Sequence, residues 1–436
     1  MNGREAAVRA LLAWEKRGAW SDAFLDGLFR REKLPERERA LAQRISCGVL
    51  QNLTALDWYL APYVRGGLQS TVRAILRCAV YQLAFLDRIP ASAAVDTAVE
   101  MTKSLANPAA ARLVNAILRR LTSAPLPPLP QGGDAESLAI RYSHPLWLVR
   151  LWSERLGEAD CRRLLAADNA IPPTALRVNR LLAAEEEVSS ALAGEGAAFA
   201  PLPPLPGFFA LTEGRAADLE AFRRGLVTVQ DPAAALPVLC GEVRPGMRIL
   251  DACAAPGGKS FLLAQEMGNE GEILACDLHG KKLDRLLAGA DRLGIRCIRT
   301  RAADARKPAA EWKNAFDLVL ADVPCSGMGV IRKKPEIRWK PREELADLPG
   351  IQLDILRSLG DCVRPGGQLI YSTCTLLEAE NEAVTDAFLA ERRDFRAAPL
   401  RLPAPLGGET AEGRRTLWPF EFGTDGFYLC RMIREK

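Results

Sequence analysis

Apolar residues along the first 125 positions recur at three- and four-residue intervals. Arg4 to Arg17 sets Val8, Leu11 and Leu12 on one stripe, and the same period returns in Arg39–Leu60, Val72–Asp87, Ala93–Leu105 and Ala110–Leu121. Such stripes predict amphipathic helices. Pro35, Pro62, Gly66-Gly67, Pro90 and Pro108 break them at hairpin spacing, which implies a compact helical bundle. The run from Ser123 to Gly133, rich in proline and ending in two glycines, cannot continue a helix and reads as a stiff linker.

Beyond the linker the pattern is mixed. Helical periods cover Pro145–Leu156 and Glu158–Asp168, Ala175–Val178 leans toward strand, and a second proline cluster spans Pro201–Pro206, so a small α+β module is predicted. From Leu226 the rhythm becomes short apolar runs alternating with helical stretches. Arg248–Cys253, Glu272–Asp277, Arg296–Thr300, Asp317–Asp322 and Gln368–Thr373 are the buried-strand candidates. This alternation predicts an α/β, Rossmann-like, mostly parallel and doubly wound sheet. The resulting division is 1–124 (helical domain), 125–134 (linker), 135–224 (α+β module) and 225–436 (catalytic domain).

Composition adds few exclusions, but each is useful. With 436 residues, 26% charged and 48% hydrophobic, the chain is neither disordered nor fibrous. Eleven scattered cysteines without a Cys-x-x-Cys pair argue against a disulfide framework or a zinc site and for a reducing, cytoplasmic setting. No run reaches the ~20 apolar residues of a membrane span. His144 and His279 are the only histidines, which disfavours histidine-based triads and metal sites, and no metal is expected. The net charge of +4 is unevenly distributed: residues 1–125 hold 18 Lys and Arg against 11 Asp and Glu, the remainder 40 against 43. A basic module that approaches phosphates beside a near-neutral one is the implied arrangement.

Ligands of open α/β sheets sit at the carboxyl ends of the strands, so the residues that follow each strand are the candidates. After the first comes Ala254-Ala255-Pro256-Gly257-Gly258-Lys259-Ser260, a glycine turn entering a helix where a ligand can approach the backbone. The second ends in Asp277, roughly 20 residues past the glycines, where a carboxylate accepts both hydroxyls of a ribose. The third leads to Asp304, placed to meet an adenine edge. Gly258-Lys259-Ser260 imitates a Walker A ending, yet the required upstream glycine is Cys253, and no Gly-x-Gly-x-x-Gly is present. S-adenosylmethionine, an adenosine without phosphates, is the cofactor that fits.

The fourth and fifth strands end in cysteines, Asp322-Val-Pro-Cys325 and Ser372-Thr-Cys374. One thiol or the other, beside the Asp322 carboxylate, suits methylation at carbon 5 of a pyrimidine. That carbon lacks a lone pair until a thiolate adds to C6 and makes it carbanion-like. Spacing alone does not choose between Cys325 and Cys374.

Asp-Ala-Cys-Ala-Ala-Pro-Gly-Gly-Lys259, Asp-Val-Pro-Cys-Ser-Gly-Met-Gly329 and Ser-Thr-Cys-Thr375, closing with Asp425-Gly-Phe-Tyr428, resemble in order the motifs of the RNA cytosine-C5 methyltransferases of the Sun (Fmu) family. The resemblance implies that Cys253, Ala254, Ala255, Pro256, Gly257, Gly258 and Lys259 line the S-adenosylmethionine loop. It implies further that Asp277 and Asp304 hold ribose and adenine, and that Asp322 contacts both cofactor and target base. Cys374 is the implied nucleophile, and Cys325 the thiol that assists product release. Ile89-Pro-Ala-Ser-Ala-Ala-Val95 and Leu113-Val-Asn-Ala-Ile-Leu-Arg-Arg120 resemble the NusB-like RNA-binding domain that a bacterial member acting on 16S ribosomal RNA carries ahead of its catalytic domain. The implied protein is a monomer whose partner is 16S ribosomal RNA. Transfer RNA as substrate, or a non-catalytic RNA-binding or ribosome-assembly role, are the alternatives; the undamaged motifs speak against the second. Val330–Trp339, basic residues interleaved with a tryptophan, suits phosphate contact and stacking on an RNA base.

Overall fold

The N-terminal stripes form the helices Gly3–Arg17, Ser21–Glu32, Glu36–Gln51, Leu53–Leu60, Ser70–Phe85, Ala91–Leu105 and Pro108–Leu121 in the computed structural model, which describes residues 1–403 and 406–436. Val8, Leu11, Val49, Leu56, Ile75, Val114 and Leu118 meet in their common core. The stripe expected over Arg39–Leu60 is two helices. At Asn52 the backbone turns out of helical geometry (φ −117°, ψ 20°), and its Nδ2 donates to Gly48 O at 2.9 Å, closing the first. Helix Ser21–Glu32 has no counterpart in the sequence expectations, although its Leu25, Leu28 and Phe29 repeat the spacing of Val8, Leu11 and Leu12.

Two units divide the described residues: Met1–Ala170 with Lys333–Lys340, and Ile171–Arg332 with Pro341–Lys436. The first therefore runs past the proline-rich stretch, whose Leu126 packs on the helical core. The helical periods expected at Pro145–Leu156 and Glu158–Asp168 are also part of it; they form Leu146–Asn169, interrupted at Gly157 (φ 75°). Among the described residues no helix is long and apolar enough to cross a membrane.

Residues 333–340 correct an expectation. Arg338 is fully buried, its Nη1 donating to Ser143 O and Asn169 Oδ1, both at 2.9 Å, and its Nη2 to Asp168 O at 3.3 Å. A cation at the carbonyl end of helix Leu146–Asn169 is a favourable placement. Trp339 Nε1 donates to Leu50 O at 2.7 Å, and Glu336 Oε1 accepts from Ser21 N and Oγ at 3.2 and 2.9 Å. Lys334 and Lys340 lie over the Trp20 ring, 5.1 and 5.6 Å from its centroid. Arg338 is thus an internal anchor rather than an RNA-facing cation, and the half-buried Trp339 is tied to the helical core, whereas Lys333 and Lys334 are exposed. Replacing Arg338 with leucine leaves several buried carbonyls unmet and is expected to cost on the order of 3 kcal/mol. Amide hydrogen exchange in Glu36–Gln51 and Leu146–Asn169 should accelerate accordingly.

The second unit begins with a four-stranded antiparallel sheet. Its strands are β1 (Thr174–Val178), β2 (Phe199–Pro201), β3 (Phe208–Leu211) and β4 (Val227–Val229), in the order β2-β3-β1-β4. Helix Glu185–Gly194 covers it through Val188 and Leu192, which meet Leu176, Val178 and Phe209. The expected α+β character is present. Asn179, just after β1, accepts from Gln265 Nε2 at 2.8 Å, which fastens the module to helix Gly258–Glu266.

The large sheet comprises β5 (Arg248–Asp251), β6 (Glu272–Asp277), β7 (Ile298–Ala302), β8 (Phe316–Asp322), β9 (Val363–Thr373), β10 (Phe395–Ala397) and β14 (Phe427–Arg434), in the order β10-β14-β9-β8-β5-β6-β7. β11 (Leu400–Arg401) and β12 (Glu409–Thr410) pair apart from it, and β13 (Arg414–Leu417) pairs with β14. β7-β6-β5-β8-β9 are parallel, as predicted; β14 adds antiparallel to β9. Ile249, Leu318, Leu320 and Ile370 face one apolar layer with Phe261 and Leu286, while Leu250, Val319, Leu369 and Tyr371 face the other with Ile355 and Phe388. Both faces are covered, which is why these strands read as continuous apolar runs rather than as alternations.

Candidate active site

A cleft of about 420 Å³ opens beyond the carboxyl ends of the parallel strands. It is lined by Ala252, Cys253 and Ala255 after β5, Asp277, Leu278, His279 and Lys282 after β6, Ala303, Asp304, Ala305 and Arg306 after β7, Asp322, Val323 and Pro324 at the end of β8, and Ile351 and Ile355 of helix Leu348–Gly360. This size and largely apolar lining suit a small-molecule ligand. Asp277 is nearly buried and accepts from His279 N at 2.9 Å through Oδ1. Asp304 accepts from Arg306 N and Nε at 3.0 Å and from Nη2 at 2.8 Å, contacts that hold its carboxyl below the usual range.

The loop after β5 contributes Cys253 and Ala255 to the cleft lining; Ala254, Pro256, Gly257, Gly258 and Lys259 are not in it. The conformational freedom of Gly257 serves the packing behind the loop. Its φ is 111°, and a Cβ there would stand 2.6 Å from Phe261 Cζ and 2.8 Å from Leu286 Cγ. Lys259 turns toward Asp322, with Nζ 2.6 Å from Oδ2 and 4.9 Å from the centroid of the Phe427 ring. Burial, with the carboxylates of Asp251, Asp322 and Asp277, pushes the Cys253 thiol up, so it stays protonated.

Asp322, Cys325 and Cys374 come together. Ser372 Oγ donates to Asp322 Oδ1 at 2.8 Å, and the Cys325 and Cys374 Sγ atoms lie 3.4 Å apart, both half-buried. The two thiols are inequivalent. Cys374 is shifted down by the hydrogen bond from Cys325, with Lys259 acting in the same direction, against burial and the charges of Asp322 and Asp425. Cys325 is shifted up by that same bond, by burial, and by the negative charges of Cys374 and Glu380. The two thiols titrate as a coupled pair, with the shift downward on Cys374 and upward on Cys325.

The probable ribosomal RNA small subunit methyltransferase B of Bacillus subtilis is 35% identical over 440 residues, 99% of this chain and 98% of that protein. The chain belongs to the family of 16S rRNA methyltransferases RsmB/F. The model of that family matches residues 239–433, the NusB family model residues 1–123, and the RsmF/B-like ferredoxin-like domain model residues 144–217. The Pseudomonas putida ribosomal RNA small subunit methyltransferase B is 35% identical over 100% of this chain and 99% of its own. The solved structure of PH0851 superimposes with a TM-score of 0.82 at 27% identity, covering 100% of this chain and 98% of that one. The domain order, NusB-like, ferredoxin-like and S-adenosylmethionine-dependent methyltransferase, is that of the family.

Several residues of this methyltransferase domain escaped the sequence reading. Asp251, fully buried at the end of β5, accepts from Ser260 Oγ at 2.6 Å, and burial pushes its carboxyl up to about 7. Arg332, expected on an RNA-facing surface, is instead bound inside the unit, with Nη2 3.1 Å from Asp231 Oδ2 and Nε 3.0 Å from Asp425 Oδ1. Glu380 is buried behind the cysteine loops. An acidic residue in the stretch Glu378-Ala-Glu-Asn-Glu382 reads as solvated, and nothing local marks Glu380 as internal.

Proposed function

We propose that the chain forms 5-methylcytosine in 16S ribosomal RNA, with S-adenosylmethionine as donor and a transient bond between Cys374 Sγ and cytosine C6. The observation that carries this reading is the close thiol pair, 3.4 Å between Sγ atoms, on the loops that follow β8 and β9, with Asp322 at the end of β8 lining the cleft. Heteroatom methylation has no use for a paired and activated thiol; carbon-5 methylation does.

The cleft residues fit the donor. Asp277 would accept the ribose hydroxyls and Asp304 the adenine amine, with Leu278, Ile351 and Ile355 as apolar walls and Cys253 and Ala255 closing one side. When bound, S-adenosylmethionine supplies an electrophilic methyl group on a sulfonium. The chain's residues prepare the acceptor. Cys374 Sγ would add to C6 as N3 takes up a proton, and Asp322 would accept from N3–H and from the exocyclic amine. Once C5 carries the methyl group, its proton passes to solvent, the electron pair left behind forms the C5–C6 double bond, the Sγ–C6 bond breaks with its pair going to sulfur, and N3 gives its proton back. Cys325 lies close enough to return a proton to the departing sulfur. The basic helical domain would hold the RNA, the ferredoxin-like module would add further RNA surface, and the enzyme would act as a monomer.

The test is transfer of labelled methyl groups to 16S RNA followed by nucleoside analysis. The label is expected in 5-methylcytosine; label in another nucleoside, preferential transfer to transfer RNA, or RNA binding without transfer overturns the reading. Asp277→Asn is expected to raise KM for S-adenosylmethionine by roughly 10- to 100-fold with a smaller change in kcat, as loss of a charged acceptor requires. An unchanged KM would remove Asp277 from the ribose site.

A further inference from the structure

The cysteine loops are tied to one buried carboxylate. Glu380, 1% exposed, ends the short turn Glu378–Glu380 that follows the Cys374 loop. Its Oε2 accepts from the backbone N of Ser326, next to Cys325, and from Gln352 Nε2, both at 2.9 Å. Its Oε1 accepts from Thr375 Oγ1, next to Cys374, at 3.4 Å. The Ser326 and Thr375 hydroxyls are themselves 2.7 Å apart, and Gln352 Nε2 reaches Pro324 O, on the other side of Cys325, at 3.0 Å.

A glutamine could keep these contacts, its oxygen accepting from Ser326 N and Gln352 Nε2 and its NH2 donating to the Thr375 hydroxyl, so what the carboxylate adds beyond tying the two loops is its charge. Behind the hydrogen bond to Cys374 and burial, the Glu380 charge adds to what holds Cys325 up, whereas the largest charges acting on Cys374 are those of Asp322, Lys259 and Asp425. A negative charge behind Cys325 opposes its ionisation and so favours leaving the proton of the pair there.

We infer that Glu380 is a positioning residue that assigns the roles of the two cysteines, holding their loops at the observed Sγ separation and keeping the shared proton on Cys325 so that Cys374 presents the nucleophilic sulfur. The inference rests on the proposed cysteine chemistry and adds the group that decides between two otherwise similar thiols.

The experiment follows carboxamidomethylation by iodoacetamide in the full chain, resolved for each cysteine by mass spectrometry from neutral to alkaline pH. In the wild type Cys374 should react before Cys325. Glu380→Gln should slow Cys374 at neutral pH about tenfold, shift its profile to higher pH and speed Cys325. Glu380→Asp, which keeps the charge on a shorter arm, should preserve the order of reaction while lowering kcat with KM for RNA unchanged. Wild-type profiles for both cysteines in Glu380→Gln would overturn the inference. If that variant does not fold, the aspartate variant decides, because loss of the Cys374 preference with the charge retained would also overturn it. The cysteine chemistry itself fails separately: methyl transfer surviving in Cys374→Ser refutes it whatever Glu380 does.

Discussion

Replacing Cys374 with serine is expected to reduce methyl transfer to RNA on the order of 10⁴-fold or more, whereas Cys325→Ala should accumulate an RNA–protein adduct that survives denaturing electrophoresis. The asymmetry follows from the inequivalence of the pair. Cys374 is the thiol lowered by its hydrogen-bond donor, and a serine hydroxyl in its place titrates far too high to add to C6. Cys325 lies 3.4 Å from that sulfur and is the group able to protonate it as it leaves. Without Cys325, addition and methylation proceed but departure is slow, so the covalent species builds up. The pH dependence has a defined sign. In the wild type the rate rises with pH as Cys374 loses its proton, with a midpoint below the ordinary thiol value of 9.0. In Cys325→Ala the hydrogen bond favouring the thiolate is gone, and the midpoint for adduct formation moves up. An adduct formed through Cys325 in the Cys374→Ser protein would reverse the two roles.

The elements legible in the sequence are those whose cause is local. β6 appears as Glu272–Asp277 in both the pattern and the structure because a strand buried on both faces is a continuous apolar run between breaks. The meeting of Asp322, Cys325 and Cys374 was readable for a related reason: in a parallel sheet, the residues after adjacent strands lie side by side, and β8 and β9 are neighbours. What failed depended on partners distant in the chain. Arg332 and Arg338 read as a basic surface, but Asp231, Asp425 and the carbonyls of Ser143 and Asp168 bring them inside. A guanidinium's burial is decided by whatever meets its five N–H groups, and no window of sequence around it contains that information. Glu380 is hidden in the same way, its donors coming from Ser326, Gln352 and Thr375. β14, an antiparallel addition between β9 and β10, lies outside the alternating rhythm that announced the rest of the sheet.

Gly329→Ala is expected to remove most activity, by roughly 10²- to 10³-fold, without unfolding either unit. Gly329 is where the loops after β8 and β9 and the start of β14 converge: its N donates to Cys374 O at 2.9 Å, and its O accepts from Gly426 N at 2.7 Å. A Cβ at this position would stand 2.1 Å from Gly426 O, 2.6 Å from Gly426 C and 2.9 Å from Cys374 O. These atoms are all backbone, so no rotamer change relieves the overlap, and at least one loop has to move. Movement of the Cys374 loop opens the thiol pair; movement of the Gly426 segment carries Phe427 away from Lys259, which stands 4.9 Å over its ring and holds Asp322. Either displacement misplaces a reacting group by the ångström that proximity catalysis does not tolerate. Gly426→Ala provides the contrast. Its Cβ would meet Leu376 Cδ1 and Cδ2 at 3.0 Å and Gly329 Cα at 2.8 Å, side-chain ends apart from one backbone carbon, so a smaller loss is expected. Measured kcat/KM in that order, with circular dichroism unchanged, would identify this backbone junction as what holds Cys374 in register with Cys325; full activity in Gly329→Ala would show that the loops adjust independently.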